Sequence, residues 1–317
     1  MNPCTPHNIL CLTMNPSVDL ATETPQVVPT HKLRCSDTLH DAGGGGINVA
    51  RVLIRLGGQC SNLCPAGGSS GQWLQNRMAE EGLPGVFLPI AQETRVSFTV
   101  HESRTGAEFR FVMPGPHLSE LEWQACLKHL SNLADFPAVL VASGSLPPGV
   151  PTDFYAQLAR LCRARGAQLV LDTAGPALAT ALAQGVFLVK PNLRELRDLS
   201  GQPLETPAEW QAAAQALVHS GQAQVVALTL GHLGALLVTC SGLWQADPLD
   251  IPVASAVGAG DSFVGGLVWG LQQGMPLETA FRWGVAAGSA ALLSLSTGLA
   301  DAEQVRLLEQ QVRVHTL

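Results

Sequence analysis

From residue 60 onward the chain alternates short, apolar, β-prone runs with longer stretches of helical periodicity. Strands are expected at 60–65, 138–142, 168–172, 186–190 and 224–230. Helices are expected at 71–82, 119–131, 151–165, 176–183, 193–200 and 207–220. A strand followed by a helix and then another strand favours parallel pairing, because the helix carries the chain back across the sheet. The pattern therefore predicts an α/β fold, a parallel-sheet αβα sandwich with helices on both faces. A buried first strand is expected at 8–13 (NILCLT), a shorter β region at 234–253, and two closing helices near 277–293 and 301–313. No internal repeat, long linker or low-complexity tract divides the 317 residues, which read as one domain.

Two segments break the alternation. Residues 20–41 carry several prolines and scattered polar residues, including Lys32 and Arg34, and do not read as a crossover. Residues 96–112 alternate apolar and polar around Arg104-Thr105-Gly106, the signature of a hairpin. Together they predict a small β layer, spanning about 20–42 and 95–113, set apart from the main sheet as a lid that excludes water when closed.

Composition removes several classes of function. The net charge is −7, which argues against general nucleic-acid binding and leaves an anionic substrate to be met by a few local cations. Apolar runs are broken well short of a membrane span. Met1 to His7 lacks the basic and apolar regions of a signal peptide, and a cytoplasmic location is expected. The cysteines (Cys4, Cys11, Cys35, Cys60, Cys64, Cys126, Cys162, Cys240) form no CxxC pair and are expected to be reduced, buried thiols. The histidines make no HxxxH or HExxH pattern.

The chemistry concentrates at glycines that open helices. Residues 252–274 read PVASAVGAGDSFVGGLVWGLQQG. A β-prone run (Ile251, Val253, Val257) is expected to lead into Gly258-Ala259-Gly260-Asp261 and an unbroken small-and-apolar helix. Glycines before a helix let N–H groups face a ligand, and the helix N-terminus adds partial positive charge, so this is a pocket for an anion such as phosphate. Asp261 would repel that anion. A carboxylate there makes sense if it takes a proton from a hydroxyl attacking a phosphoryl group, although Asp is also a common helix cap. A second glycine turn, Gly43 to Gly46, precedes Ile47-Asn48-Val49-Ala50-Arg51. It is not a dinucleotide fingerprint, because Asn48 stands where the last glycine belongs, and no Gly-Lys-Ser/Thr makes it a Walker loop. What remains is a close backbone approach to a ligand, with Asn48 able to donate and accept, as a sugar requires.

Other polar residues fall at the expected strand ends, where open α/β sheets bind ligands. Asp19 follows the first strand, Ser143 to Gly149 the strand 138–142, and Lys190-Pro191-Asn192-Leu193-Arg194-Glu195 the strand 186–190. Asn192 and Glu195 read either as a helix capping box or as an amide and carboxylate that order Mg2+ through water. Thr229 to Gly234 is either a glycine-rich ligand loop or a plain hairpin turn.

In their order these features resemble the ribokinase-like family of sugar kinases, in its phosphofructokinase B branch. GGGGINVAR, FVMPG, SGSLPPGV, KPN-x-x-EL, VGAGDS and GVAAGSAA carry the resemblance, from Leu12 to about Gly298. It implies an ATP-dependent kinase acting on a ketohexose phosphate, fructose 6-phosphate before fructose 1-phosphate or tagatose 6-phosphate. Asp261 would be the general base, and the amides of Gly258, Ala259, Gly260 and Asp261 the anion hole. Asn192 and Glu195 would govern Mg2+, with Lys190 near the nucleotide phosphates. Thr229, Gly231, Gly234 and Ser289 would line the nucleotide pocket. Asp19, Gly44, Gly45 and Asn48 would hold sugar hydroxyls, while Lys32, Arg34, Arg95 and Ser145 meet the phosphate already on the sugar. The resemblance also implies a homodimer through the lid, and leaves K+ open as a monovalent activator.

Two positions depart from the pattern. Ala256 stands where the family usually has Thr, and Asn15-Pro16 is more like the 1-phosphofructokinase and tagatose-6-phosphate branch. Gly45, where that branch tends to carry Lys, and FVMPG point the other way. A nucleoside kinase of the same superfamily would not need Lys32, Arg34 and Arg95, and a non-catalytic sugar-phosphate sensor would not need the base.

Overall fold

The strand–helix alternation closes into one large sheet. The structure is a computed structural model and describes residues 8–295 and 297–317. Cys4 and the Met1–His7 segment lie outside the described residues.

In chain order the first half comprises β1 (Ile9–Leu12), β2 (Ser17–Thr24), β3 (Leu39–Gly43), α1 (Gly45–Arg55), β4 (Ser61–Ala66), α2 (Gly68–Glu80), β5 (Gly85–Pro89), β6 (Arg95–Glu102), β7 (Ala107–Phe111), α3 (Glu120–Ser131) and β8 (Val139–Ser143). The second half comprises α4 (Phe154–Ala164), β9 (Gln168–Asp172), α5 (Gly175–Leu182), β10 (Val186–Val189), α6 (Leu193–Ser200), α7 (Pro207–His219), β11 (Ala223–Thr229), β12 (Ala235–Thr239), β13 (Gly242–Ala246), α8 (Ala259–Gln272), α9 (Leu277–Leu292), α10 (Ala302–Glu309) and β14 (Val314–Thr316).

Ten strands form the main sheet in the order β14-β13-β12-β11-β10-β9-β8-β1-β4-β5. The adjacent strands β11, β10, β9, β8, β1, β4 and β5 run parallel, as the helical crossovers require. This is the expected parallel-sheet αβα sandwich, with an antiparallel edge added. β12 and β13 pair antiparallel because the 234–253 region folds as a tight hairpin without a crossover helix, and β14 returns after α10 to pair antiparallel with β13.

The period of two sorts each strand between two cores. Ile9, Cys11, Val139, Val141, Val225 and Ala227 face α1, α2, α8, α9 and α10. Leu10, Leu12, Leu140, Ala142, Val226 and Leu228 face α3 to α7. Both faces are covered, so these strands read as continuous apolar runs.

The small layer is a four-stranded sheet in the order β3-β2-β6-β7. Asp19 follows the first strand, but on a strand of the second sheet rather than in a turn. It sits on β2, opposite Asp41 of β3 and Ser97 of β6. Ile251, Val253 and Val257 form no strand: 251–257 is irregular, and Pro252 and Val253 are exposed. The cysteine reading also needs correction, since Cys35 and Cys240 are exposed while Cys11, Cys60, Cys64, Cys126 and Cys162 are buried.

Candidate active site

The sheet reverses its winding between β8 and β1, and the crevice outside their carboxyl ends is where an open α/β sheet binds ligands. Here the crevice is bridged by Asn15, whose Nδ2 donates to Ser145 Oγ at 3.2 Å and to the carbonyl of Pro114 at 2.9 Å. Two helix N-termini converge on it, those of α1 and α8.

α8 starts at Gly258, whose φ of 72° is left-handed and favours glycine. Asp261 is the third residue of the helix. In a first turn the N–H groups have no partner four residues back and can face a ligand anion, and that of Ala259 reaches only the carbonyl of Ala256, at 3.5 Å. Asn48 Nδ2 donates to Asp261 Oδ2 at 2.9 Å, and Ser143 Oγ lies 3.5 Å from Oδ1. Burial pushes the Asp261 carboxyl up to about 7, with the Asp172 carboxylate adding to the rise. The Asn48 amide and Lys190 pull against it. A carboxylate with that pKa exchanges protons near neutral pH.

Gly45 explains why the glycine turn carries no side chains. A Cβ there would stand 2.3 Å from Ser143 Oγ and 2.9 Å from the backbone nitrogen of Gly144. The α1 N-terminus is thus pressed directly onto the end of β8. Asp19 accepts from Ser17 Oγ at 2.6 Å, and burial raises its pKa against the pull of Ser17 and Arg95.

Lys190 is buried and pairs with Asp172 at 3.2 Å. Burial disfavours its ammonium, but Asp172, Glu195 and Asp261 outweigh that and hold its pKa above the ordinary value. Its Nζ lies 3.3 Å from where a Cβ on Gly260 would stand, so a fixed positive charge sits beside the anion loop. Asp172 was not singled out in the sequence. The available signal was its place at the end of a strand, shared with Ser143 and Lys190.

Two cavities flank the start of α8, one reaching Asp261 and the other its neighbour Gly260. One, of about 700 Å³, is lined by Ser143, Ser145, Asp172, Glu195 and Asp261 among others. The other, of about 720 Å³, is lined by Asn192, Thr229, Gly231, Gly234, Gly260 and Ser289, together with His232, Asp250 and Ala256. Four of the residues read as nucleotide-binding therefore share one cavity with Asn192, while Lys190 lies behind Gly260. Asn192 and Glu195 form a capping box: the Asn192 N–H donates to Glu195 Oε2 at 2.8 Å, and the Glu195 N–H to Asn192 Oδ1 at 2.9 Å. Among the described residues no cluster of three or more His, Cys, Asp or Glu is placed to hold a metal directly.

The cations read as a phosphate clamp differ in their surroundings. Lys32 and Arg34 are exposed on the segment between β2 and β3. Arg95, at the start of β6, donates to the carbonyl of Met113 at 2.8 Å and to that of Asn15 at 2.9 Å.

A sequence profile of the pfkB family carbohydrate kinases matches residues 12–304. The ATP-dependent 6-phosphofructokinase isozyme 2 of Mycobacterium tuberculosis is 45% identical over 94% of this chain and 87% of its own length. The 1-phosphofructokinase of Bacillus subtilis is 33% identical over 96% of this chain and 99% of its own. Crystal structures of phosphofructokinase-2 from Escherichia coli, one in complex with fructose-6-phosphate and one with potassium, superpose with TM-scores of 0.91 and 0.92. Each is 40% identical and covers 96% of this chain and 99% of that one. A tetrameric inhibited form of the same E. coli protein superposes with a TM-score of 0.91.

Proposed function

Because this chain belongs to the pfkB family of carbohydrate kinases, we propose that it transfers the γ-phosphoryl group of ATP to fructose 6-phosphate, giving fructose 1,6-bisphosphate. One observation carries the mechanism: the Asp261 carboxylate stands in the first turn of α8, lining one cavity while its neighbour Gly260 lines the other. ATP occupies the cavity lined by Thr229, Gly231, Gly234 and Ser289. The sugar is held at the α1 N-terminus by Asp19, Gly44, Gly45 and Asn48.

Asp261 accepts the proton of the sugar's 1-hydroxyl as that oxygen bonds to the γ-phosphorus. The bond from the γ-phosphorus to the oxygen bridging to ADP breaks, and Asp261 later releases its proton to solvent. Gly258 to Asp261 and the buried Lys190 offer N–H groups and positive charge where the transferring group develops negative charge.

The donor set suits a hard cation held through water. Glu195 lines the Asp261 cavity, Asn192 lines the nucleotide cavity, and the capping box fixes both. Mg2+ bound there would screen the nucleotide phosphates.

The chain acts as a single domain, 1–317, in the cytoplasm. The β2–β3 and β6–β7 lid pairs with a second copy. Leu39, Phe98 and Phe111, exposed on that sheet with Phe98 and Phe111 stacked at 4.6 Å, support a homodimer through this face. Lys32 and Arg34, exposed on the segment between β2 and β3, meet the phosphate on the sugar together with Arg95 and Ser145. Sedimentation analysis of wild type and Phe111→Glu tests the assembly, and a monomeric wild type would end it.

A coupled assay of ADP release with fructose 6-phosphate, fructose 1-phosphate and tagatose 6-phosphate tests the activity. The expected order places fructose 6-phosphate first. Preference for fructose 1-phosphate would transfer the chain to the branch that Asn15-Pro16 suggests, and turnover on none of them would reject the kinase. Repeating the assay with K+ replaced by a bulky organic cation tests the monovalent requirement.

A further inference from the structure

Glu108 lies on β7 of the small sheet, opposite His101, yet its carboxylate reaches the nucleotide side of the molecule. Ser255 Oγ donates to it, at 3.0 Å from Oε1 and 3.1 Å from Oε2. Ser255 is buried, only 5% exposed, and its Oγ also accepts from the N–H of Val257 at 3.1 Å. The residues around it, Asp250, Ile251, Val253 and Ala256, form one wall of the nucleotide cavity. Val257 is followed at once by Gly258, where the anion loop begins.

This wall has no strand or helix of its own between β13 and α8. Its opposite side is held by the N–H of Ala254, which donates to the carbonyl of Leu292 at the end of α9 at 2.7 Å. An irregular segment with few backbone bonds is readily displaced, so side-chain anchors decide its position. Glu108 supplies such an anchor from an element 147 residues away in sequence.

We propose that Glu108 is a positioning residue for phosphoryl transfer: from the lid, through the Ser255 hydroxyl, it holds the loop that walls the nucleotide cavity and leads into the anion hole. The inference rests on the kinase reading above. It makes nucleotide affinity depend on the lid, an element otherwise associated with the sugar. The chain of contacts is Glu108 carboxylate, Ser255 hydroxyl, Val257 N–H, Gly258. Shifting the last of these displaces the N–H groups that meet the transferring group.

The test compares wild type with Glu108→Ala, Glu108→Gln, Ser255→Ala and the double alanine variant. Binding of the non-hydrolysable analogue β,γ-imido-ATP is measured by calorimetry, and KM and kcat by the coupled assay. Losing a hydrogen bond to a charged acceptor predicts about tenfold weaker analogue binding for each alanine variant. The double variant is expected to lose no more than the worse single one, because both remove the same contact. Glu108→Gln, whose amide oxygen still accepts from Ser255, is expected to recover most of the loss, which a merely destabilised lid would not show. The sugar phosphate KM is expected to change less than the ATP KM. Unchanged analogue affinity in both single variants, or additive losses in the double one, overturns the proposal. Analogue binding reads the contact whatever sugar is used, so failure of the substrate assignment appears separately, in the wild-type assay.

Discussion

Asn48 and Asp261, 213 residues apart in sequence, are joined by a 2.9 Å hydrogen bond from the Asn48 amide to the Asp261 carboxylate. The bond ties the first turns of α1 and α8 together, one carrying the glycine turn and the other the anion loop. The helices approach closely behind it, since a Cβ on Gly265 of α8 would stand 2.7 Å from Val52 Cβ of α1. One carboxylate oxygen is therefore committed to orientation. The other, with Ser143 3.5 Å away, is the one available to a substrate hydroxyl.

Replacing Asp261 with Asn keeps the shape and removes the base. Turnover is expected to fall by about 10²–10⁴-fold, with nucleotide and sugar binding little changed. A variant retaining more than half of wild-type kcat at saturating substrates would leave Asp261 only its bond to Asn48, tying α8 to α1.

The pH dependence follows from the same carboxyl. A base is competent only when deprotonated, so kcat/KM is expected to fall as pH drops through about 7. Asn48→Ala removes a group that favours the ionised form, so the acid limb is expected to move to higher pH. Titration of the sugar phosphate itself would not follow that substitution. A limb at the same pH in both proteins would separate Asp261 from the profile. For stability the sign is opposite to that of a salt-bridged Asp: the folded pKa is raised. Its stabilising contribution is full below the unfolded value of about 4 and lost as pH rises through about 7.

The residues that show how far sequence reaches are those at strand ends. Period-two and helical patterns placed β1, β8, β9, β10 and β11 to within a residue or two, because both faces of these strands are buried. β5 and β14 were missed because their residues are partly or fully exposed, leaving no continuous apolar run. Asp19 follows β1 as expected, but nothing in Asn15-Pro16-Ser17 shows that the chain turns straight into a second sheet and carries it on a strand. Asp172 lacked a glycine neighbour to mark it, although its pairing with Lys190 shapes the electrostatics around Asp261. Contacts such as Glu108 with Ser255 depend on how the two sheets dock, which no local pattern encodes.

Asn192 and Glu195 have a cap geometry, so their substitutions should separate structure from metal. Asn192→Ala removes the acceptor for the Glu195 N–H and is expected to cost about 1 kcal/mol of stability by denaturant titration. Glu195→Gln keeps an oxygen for the Asn192 N–H but loses the charge, and is expected to raise the Mg2+ concentration for half-maximal activity several-fold. Superimposable magnesium titrations for Glu195→Gln and wild type would confine the pair to capping.

Arg95 joins the segment after β1 to the one after β7 through the carbonyls of Asn15 and Met113. Arg95→Ala removes these charge-assisted bonds, together with a cation near Asp19. The KM for fructose 6-phosphate is expected to rise about ten- to hundredfold, with the KM for ATP changed far less. Equal increases for the two substrates would mean that the arginine supports the cleft as a whole instead of the sugar end.

Gly45 offers the sharpest test of geometry at the sugar end. The atoms a methyl group would meet include the main-chain carbon of Ser143 at 2.8 Å and the nitrogen of Gly144 at 2.9 Å, so rotating the Ser143 side chain cannot make room. Either the α1 N-terminus or the end of β8 must move. The first carries Asn48, and through it the orientation of Asp261. Displacing a reacting group by about 1 Å costs roughly 10²-fold in rate, so Gly45→Ala is expected to lower kcat/KM by that order. The fold is expected to survive with a reduced Tm, because the strain is confined to one contact at the sheet edge. Kinetics and thermal denaturation of the purified variant decide it. A folded Gly45→Ala enzyme with near wild-type kcat/KM would show that the approach of α1 to β8 does not set the catalytic geometry.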